Sequence, residues 1–426
     1  MMRFAVLTLG CKLNQYDSAK VAARLARAGA VPSSPESAEL ILVNTCTVTH
    51  KADRDSRKAV RSLKRANPGA RLAVFGCASR RTPAAFSGLA GVDAVLSDDE
   101  SLLRFLDDWR PGASASAPCV PLFPDRTRAF LKVQEGCNQP CSYCIVPSVR
   151  GPSRSVPPEE VEAEFAGLLE AGFREVVLTG INTGEYGKDL GWKGGLTALL
   201  ERLLKRNGDF RLRLNSVEPR AVTPGLVRLL RAEGRLARHL QVPLQSGSDA
   251  VLAAMRRNYK AGFFADLLQR LAEEVPGIGL GCDVLCGFPS ETREDHEATL
   301  RLLEASPVAF LHAFAYSPRP GTPAASIPPL PPGEVAARTR ELVALGRSKS
   351  EAFARSQMGR PLEALTLASE SGRGRALTSN FLDVLLDGAA PPNRWITIRL
   401  TRWEGGLPRG EILEERDLRT GSRGRV

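Results

Sequence analysis

Histidine is scarce in this 426-residue chain: there are four, none paired at ligand-like spacing, so histidine-based zinc hydrolysis has little support. Long apolar runs are missing too. No stretch approaches the ~18 apolar residues that a membrane span needs. The apolar start Phe4–Leu9 is shorter than the ~7–15 residues of a secretory h-region and runs straight into patterned sequence. These absences predict a cytoplasmic protein with no membrane partner. Cysteine is absent after Cys286, yet nine precede it: Cys11, Cys46, Cys77, Cys119, Cys137, Cys141, Cys144, Cys282 and Cys286. In a reducing compartment, clustered cysteines bind metals or perform chemistry rather than pair as disulfides. The bulk composition is ordinary for a globular chain of about three domains, with 43% hydrophobic and 25% charged residues. Its net charge of +11 points toward a polyanion.

A Pro, Gly, Ala and Ser-rich stretch from Pro111 to Pro124 marks the first boundary. Before it, short strands (Phe4–Leu9, Leu40–Asn44, Leu72–Phe75) alternate with helical patterns (Ser18–Arg27, Ala52–Ala66), predicting a small parallel α/β domain. Cys11, Cys46 and Cys77 each lie just after one of these strands. Strand carboxyl ends share one edge in such a sheet, so the three thiols are expected to converge. From Phe130 to about Ser317 six further strand/helix units follow, too few for an eight-stranded barrel and right for a partial (β/α)6 one. Its predicted strands are Phe130–Gln134, Glu175–Thr179, Arg211–Asn215, His239–Pro243, Gly279–Leu285 and Phe310–Tyr316. A helix over Pro332–Met358 leads to about 70 residues of closely spaced short strands, the pattern of a small all-β barrel. The predicted domains are residues 1–116, 123–352 and 356–420.

The strongest local signal is Gly136-Cys137-Asn138-Gln139-Pro140-Cys141-Ser142-Tyr143-Cys144, directly after the first strand of the βα series. Three thiolates in one tight loop suit an iron–sulfur cube with one iron left open. A zinc loop borrowing a distant fourth ligand fits the same spacing.

C-x3-C-x2-C with an aromatic residue before the last cysteine resembles the radical S-adenosylmethionine superfamily. Thr8–Ser18, Val43–Thr49, Gly76-Cys77, Cys144–Gly151, Leu178–Asn182, Val242–Asp249 and Tyr316–Thr322 extend the resemblance to its methylthiotransferases over nearly the whole chain. The C-terminal β region is similar to the TRAM domain, an RNA-binding barrel. The resemblance implies that Cys137, Cys141 and Cys144 hold a catalytic [4Fe–4S] cluster whose open iron binds S-adenosylmethionine and yields a hydrogen-abstracting radical. It implies that Cys11, Cys46 and Cys77 hold an auxiliary [4Fe–4S] cluster carrying the sulfur. Tyr143, Asn182, Ser216, Glu218 and Gln245 are the candidates for contacting S-adenosylmethionine; helix capping and loop hydrogen bonding are the plainer roles for the polar strand-end groups among them.

Among the family's substrates, Thr8–Tyr16, Asn44–Thr49, Leu178–Gly184, Gln245–Tyr259 and Leu311–Ala325 look most like the threonylcarbamoyladenosine branch. The implied reaction is methylthiolation of that nucleoside beside the anticodon of tRNA. The alternatives are isopentenyladenosine in tRNA, an aspartate of a ribosomal protein or, from another class, a zinc-stabilised RNA-binding module without catalysis. A monomer and an electron donor such as flavodoxin or ferredoxin are expected. Two departures stand out: Ala78-Ser79-Arg80 replaces the usual aromatic-Ala-Gln, and Cys282 and Cys286 fall where Thr or Val is usual. The latter two share a strand face and read as small buried thiols rather than a metal pair.

Positive charge is concentrated. Lys51–Arg81 carries ten basic and two acidic residues. Lys51, Arg54, Arg57, Lys58 and Arg61 are candidate phosphate contacts there, and Arg150 and Arg154 beside the cluster loop are others. In the last domain Arg373, Arg375 and Arg394 lie near Phe381 and Trp395, a mixture of charge and stacking suited to RNA.

Overall fold

A computed structural model describes residues 2–112, 119–123, 126–368, 374–416 and 423–425. The chain opens with a five-stranded parallel sheet in the order β2-β1-β3-β4-β5: β1 (Arg3–Thr8), β2 (Val31–Pro32), β3 (Leu40–Thr45), β4 (Arg71–Gly76) and β5 (Ala94–Val95). The central strand β3 is buried at every position, which is why its first four residues, Leu40–Val43, are an unbroken apolar run. Around the sheet lie α1 (Lys12–Arg27), α2 (His50–Ala66), α3 (Cys77–Arg81), α4 (Ala84–Ser87) and α5 (Asp99–Trp109). Helix α1 starts six residues before the sequence pattern suggests. Its first turns carry Asn14, Gln15 and Asp17, which interrupt the apolar period. Buried Asn14 belongs there because its amide donates to Leu9 O at 2.8 Å and Thr45 O at 3.1 Å, fastening the helix to the strand ends.

The second unit has six parallel strands in two sheets, β10-β9-β6 and β11-β12-β13. They are β6 (Arg128–Lys132), β9 (Glu175–Thr179), β10 (Arg211–Leu214), β11 (His239–Gln241), β12 (Gly279–Cys286) and β13 (Phe310–Ala315), with a small antiparallel pair, β7 (Gln134–Glu135) and β8 (Arg154–Ser155), beside β6. Single bridges Leu212–Leu236 and Ser216–Gln241 join the two sheets into the expected open six-stranded barrel. The outer layer holds α6 (Val146–Arg150), α7 (Pro158–Glu170), α8 (Gly195–Leu204), α9 (Pro224–Ala232), α10 (Asp249–Ala254), α11 (Ala261–Glu274), α12 (Arg293–Ala305) and α13 (Pro332–Ser356). Along β12 the buried side chains Leu280, Cys282, Val284 and Cys286 alternate with half-buried Asp283 and Leu285. The two cysteines are buried and unpaired.

The last unit is a barrel of β14 (Pro361–Thr366), β15 (Arg375–Thr378), β16 (Asp383–Leu386), β17 (Trp395–Glu404) and β18 (Leu407–Arg416), closed by the parallel pairing of Leu385 with Arg409 and Leu386 with Gly410; β19 (Arg423–Arg425) adds to β18. It sits against the starts of the central strands. Arg211 donates to Leu377 O, Arg213 donates to Thr378 O and Ser379 O, and His239 stacks on Phe381 at 4.2 Å. The first unit meets the opposite edge, where Lys12 reaches Asn215 just past β10 at 2.6 Å. Strand-end chemistry and the C-terminal barrel therefore occupy opposite edges of the central barrel.

Candidate active site

Cys11 follows β1 and opens α1, Cys46 follows β3, and Cys77 opens α3 directly after β4. Two glycines with left-handed backbone bring these ends together. A side chain at Gly10 (φ +106) would lie 2.8 Å from Cys46 Cβ, and one at Gly76 (φ +98) would lie 2.2 Å from Asn44 Oδ1. Asn14 Oδ1 lies 3.8 Å from both Cys11 Sγ and Cys77 Sγ. Burial pushes the Cys46 thiol up to about 11, with the other two sulfurs adding to the effect. The arrangement is three free thiols on one sheet edge, a donor set that a bound metal cluster would ionise.

The second triplet lies at the barrel mouth. Gly136 (φ +70) passes so close to Pro152 that any side chain would overlap its carbonyl, and Cys137 N donates to Gly151 O at 3.1 Å. Ser142 pins the loop by donating to Met255 O and Ala254 O. Arg257 Nη1 stands 3.3 Å from Cys141 Sγ and ion-pairs with Glu218. Burial pushes the Cys144 thiol up to about 12. Tyr143 packs against the Val251, Met255 and Phe288 cluster.

Helix α6 links the triplets. It begins just after Cys144 and ends at Arg150, whose Nε donates to Cys77 Sγ at 3.2 Å. Arg150 is 5% exposed, and its other nitrogens reach Asn14, Asp17 and Glu135. The expectation that Arg150 meets a phosphate is therefore corrected: its charge is spent inside, between the two cysteine sets.

Family models match the chain twice, as the radical SAM superfamily over residues 131–303 and as "Uncharacterized protein family UPF0004" over residues 3–97. A threonylcarbamoyladenosine tRNA methylthiotransferase, MtaB of Bacillus subtilis, is 36% identical over 91% of this chain and 91% of its own length. A tRNA-2-methylthio-N(6)-dimethylallyladenosine synthase of Paenarthrobacter aurescens is 35% identical over 87% of this chain and 75% of its own. The chain belongs to the radical SAM tRNA methylthiotransferase family. Its fold is also seen in a radical S-adenosylmethionine methyltransferase, TsrM of Kitasatospora setae, with TM-score 0.55, 17% identity, and coverage of 76% of this chain and 77% of that one. The protein is thus an enzyme that modifies tRNA with S-adenosylmethionine and an iron–sulfur cluster.

Around the methylthiotransferase's second triplet the polar strand-end candidates divide. Asn182 is 6% exposed, its Oδ1 has no partner among the described residues, and it lies beside Cys137. Gln245 adopts φ +68, which a turn into the barrel mouth requires. Ser216 instead faces Asp283 at 3.5 Å, and Glu218 is taken by Arg257. Sequence reading missed Gln134, whose Oε1 accepts from Asn182 N at 2.8 Å, and Arg257. It also missed the group Asp283, Gln241 and His312, where Asp283 Oδ1 lies 2.9 Å from Gln241 Nε2 and 3.2 Å from His312 Nδ1. Polar residues at alternate strand positions are the signal that would have found Gln241 and Asp283.

On the outer surface, α2 presents Arg54, Arg57, Lys58 and Arg61 without ion-pair partners among the described residues, while Lys51 pairs with Asp55. The helix's other carboxylate, Asp53, is occupied by buried Arg319 at 2.5 Å. Arg154 is exposed. In the C-terminal barrel Arg375 is exposed and paired with Asp383, and Arg373 lies outside the described residues. The expectation that Phe381 and Trp395 stack on RNA is corrected. Phe381 covers His239, and Trp395 is buried beneath Arg211 at 4.8 Å. No described helix is long and apolar enough to cross a membrane.

Proposed function

We propose that this enzyme methylthiolates C2 of N6-threonylcarbamoyladenosine at position 37 of tRNA, using two [4Fe–4S] clusters. Cys137, Cys141 and Cys144 would hold the cluster that binds S-adenosylmethionine, and Cys11, Cys46 and Cys77 the auxiliary one. Bound there, the groups supply a hydrogen-abstracting radical and a sulfur to be transferred. The chain's own residues do the positioning. Arg257 and Arg150 each set a guanidinium against one ligand sulfur, Cys141 and Cys77 respectively. Tyr143, Asn182, Ser216, Glu218 and Gln245 are the proposed contacts for S-adenosylmethionine, Ser216 and Glu218 by exchanging their present partners Asp283 and Arg257. Residues 1–116, 123–352 and 356–420 divide the work into sulfur donation, radical generation and tRNA holding. A monomer draws its electrons from a flavodoxin- or ferredoxin-type donor.

The observation that supports the substrate branch is Lys12. It follows Cys11, is half-buried, and extends to Asn215 at the barrel mouth, so its ammonium stands where the first unit meets the central barrel. Burial pulls it down to about 8, which leaves it mostly protonated at neutral pH. A partly desolvated ammonium at this junction suits a nucleoside that carries a carboxylate, as the threonylcarbamoyl group does and an isopentenyl group does not. Nucleoside mass spectrometry of tRNA treated with reconstituted enzyme tests this. The methylthio group is expected on the threonylcarbamoyl nucleoside alone; its appearance on the isopentenyl nucleoside instead overturns the reading. Lys12→Met is expected to cut kcat/KM for that tRNA roughly 10–100-fold, the scale of one charge-assisted hydrogen bond.

The basic face of α2 is the proposed tRNA contact. The triple variant Arg54→Glu, Lys58→Glu, Arg61→Glu should weaken tRNA binding and flatten its salt dependence by about 0.7–0.9 log units per lost phosphate contact. Cleavage of S-adenosylmethionine without tRNA should not change. An unaltered salt slope would show that tRNA lies elsewhere.

A further inference from the structure

At the end of β12, on the side that faces the outer helices, Cys286, Glu291 and His296 come together. One ligand atom from each lies within 4.8 Å of the others, and all three residues are buried, with His296 0% exposed. The thiol ends β12, the carboxylate belongs to the loop that follows, and the imidazole projects from the first turn of α12. This cluster has no role in the reaction described above.

Two features distinguish it from a packed core. His296 Nε2 lies 2.9 Å from Glu341 Oε2 on α13, while Nδ1 has no partner among the described residues although it is buried. An imidazole held at one nitrogen by a carboxylate and bare at the other is the arrangement of a metal-ligating histidine with its outer carboxylate. The Glu291 carboxylate is anchored in the same way, its Oε2 accepting from Gly287 N at 2.8 Å and Arg338 Nη1 at 2.8 Å. The charges facing Cys286 are Glu291, Glu341 and Arg338. With the thiol ionised they leave two negative charges, which a divalent ion neutralises.

We propose that Cys286, Glu291 and His296 form a structural divalent-cation site of zinc type, separate from the iron–sulfur chemistry. Thiolate, imidazole and carboxylate together select a borderline ion over magnesium or calcium. The ion would join β12 to α12 and, through Glu341 and Arg338, to α13, the helix that leads to the C-terminal barrel.

The test uses the full-length enzyme with its clusters reconstituted under anaerobic conditions, given zinc chloride and then dialysed. About one zinc per chain should remain, and zinc K-edge absorption should show a single sulfur near ~2.3 Å among lighter ligands at ~2.0–2.2 Å. Cys286→Ala and His296→Asn should each lower retained zinc at least about tenfold with iron content unchanged. Glu341→Gln, whose side chain is partly exposed and whose loss leaves the core packed, should weaken zinc affinity roughly 10–100-fold. An all-sulfur zinc shell would place the ion on the cluster cysteines and overturn the proposal. So would loss of zinc on dialysis from an iron-replete enzyme, or retention unchanged in all three variants.

Discussion

Replacing Cys11, Cys46 and Cys77 together by Ala is expected to leave reductive cleavage of S-adenosylmethionine intact while stopping formation of the methylthio nucleoside. Replacing Cys137, Cys141 and Cys144 should stop both. Each loss should exceed about a thousandfold, because three ligands of one group act as a unit and their effects do not add. The split follows from where the sulfurs stand. The first set is held by three strand ends and Asn14, the second by a single loop pinned to Met255 and Ala254, so emptying one leaves the other's supports in place. Iron content supplies the control: each triple variant should keep about four of eight irons per chain, the content of one cube. Product from the Cys11, Cys46, Cys77 variant would remove the auxiliary role from that set.

The link between the sets is Arg150, and it shows what a sequence can carry. The order of strands and helices was legible because apolar periods change between two and 3.6, and Glu175–Thr179 was read to the residue. Convergence of Cys11, Cys46 and Cys77 followed from the rule that parallel strands end on one edge. The direction of a long cation did not follow from anything local. Arg150 and Arg154 are four apart beside the same loop, yet one is buried against Cys77 and the other exposed, because only Arg150 ends α6 opposite Asp17 and Glu135. Phe381 and Trp395 misled in the same way. Neighbouring arginines suggested RNA, but the partners that decide their exposure, His239 and Arg211, lie 142 and 184 residues earlier in the chain. Contacts between units are not written in local pattern.

That seam between the central and C-terminal barrels yields the second large expectation. Glu175, 0% exposed at the start of β9, accepts from Arg211 Nε at 2.6 Å and Arg213 Nε at 2.9 Å, with Arg128 at 3.4 Å. Burial alone would raise its carboxyl; the guanidiniums outweigh that and hold it far below the ordinary carboxylate range. The same two arginines also donate to Leu377 O, Thr378 O and Ser379 O, so one carboxylate orients both of the cations that hold the C-terminal barrel. Glu175→Gln keeps the volume but leaves buried cations uncompensated, a change worth about 3–5 kcal/mol. Hydrogen exchange in β15 and β17 should quicken by about two to three orders of magnitude, while β1, β3 and β4 keep their protection. The pH dependence has a fixed sign. A carboxyl whose folded value is depressed stabilises fully above its unfolded value near ~4.3, and that support drains away as pH falls toward the folded value. The wild-type seam should therefore open first in acid, below about pH 4, and in the Gln variant its protection should be low at neutral pH and much less sensitive to acid. If exchange in β15 and β17 is the same in both proteins at neutral pH, the charge cluster is not what joins the barrels.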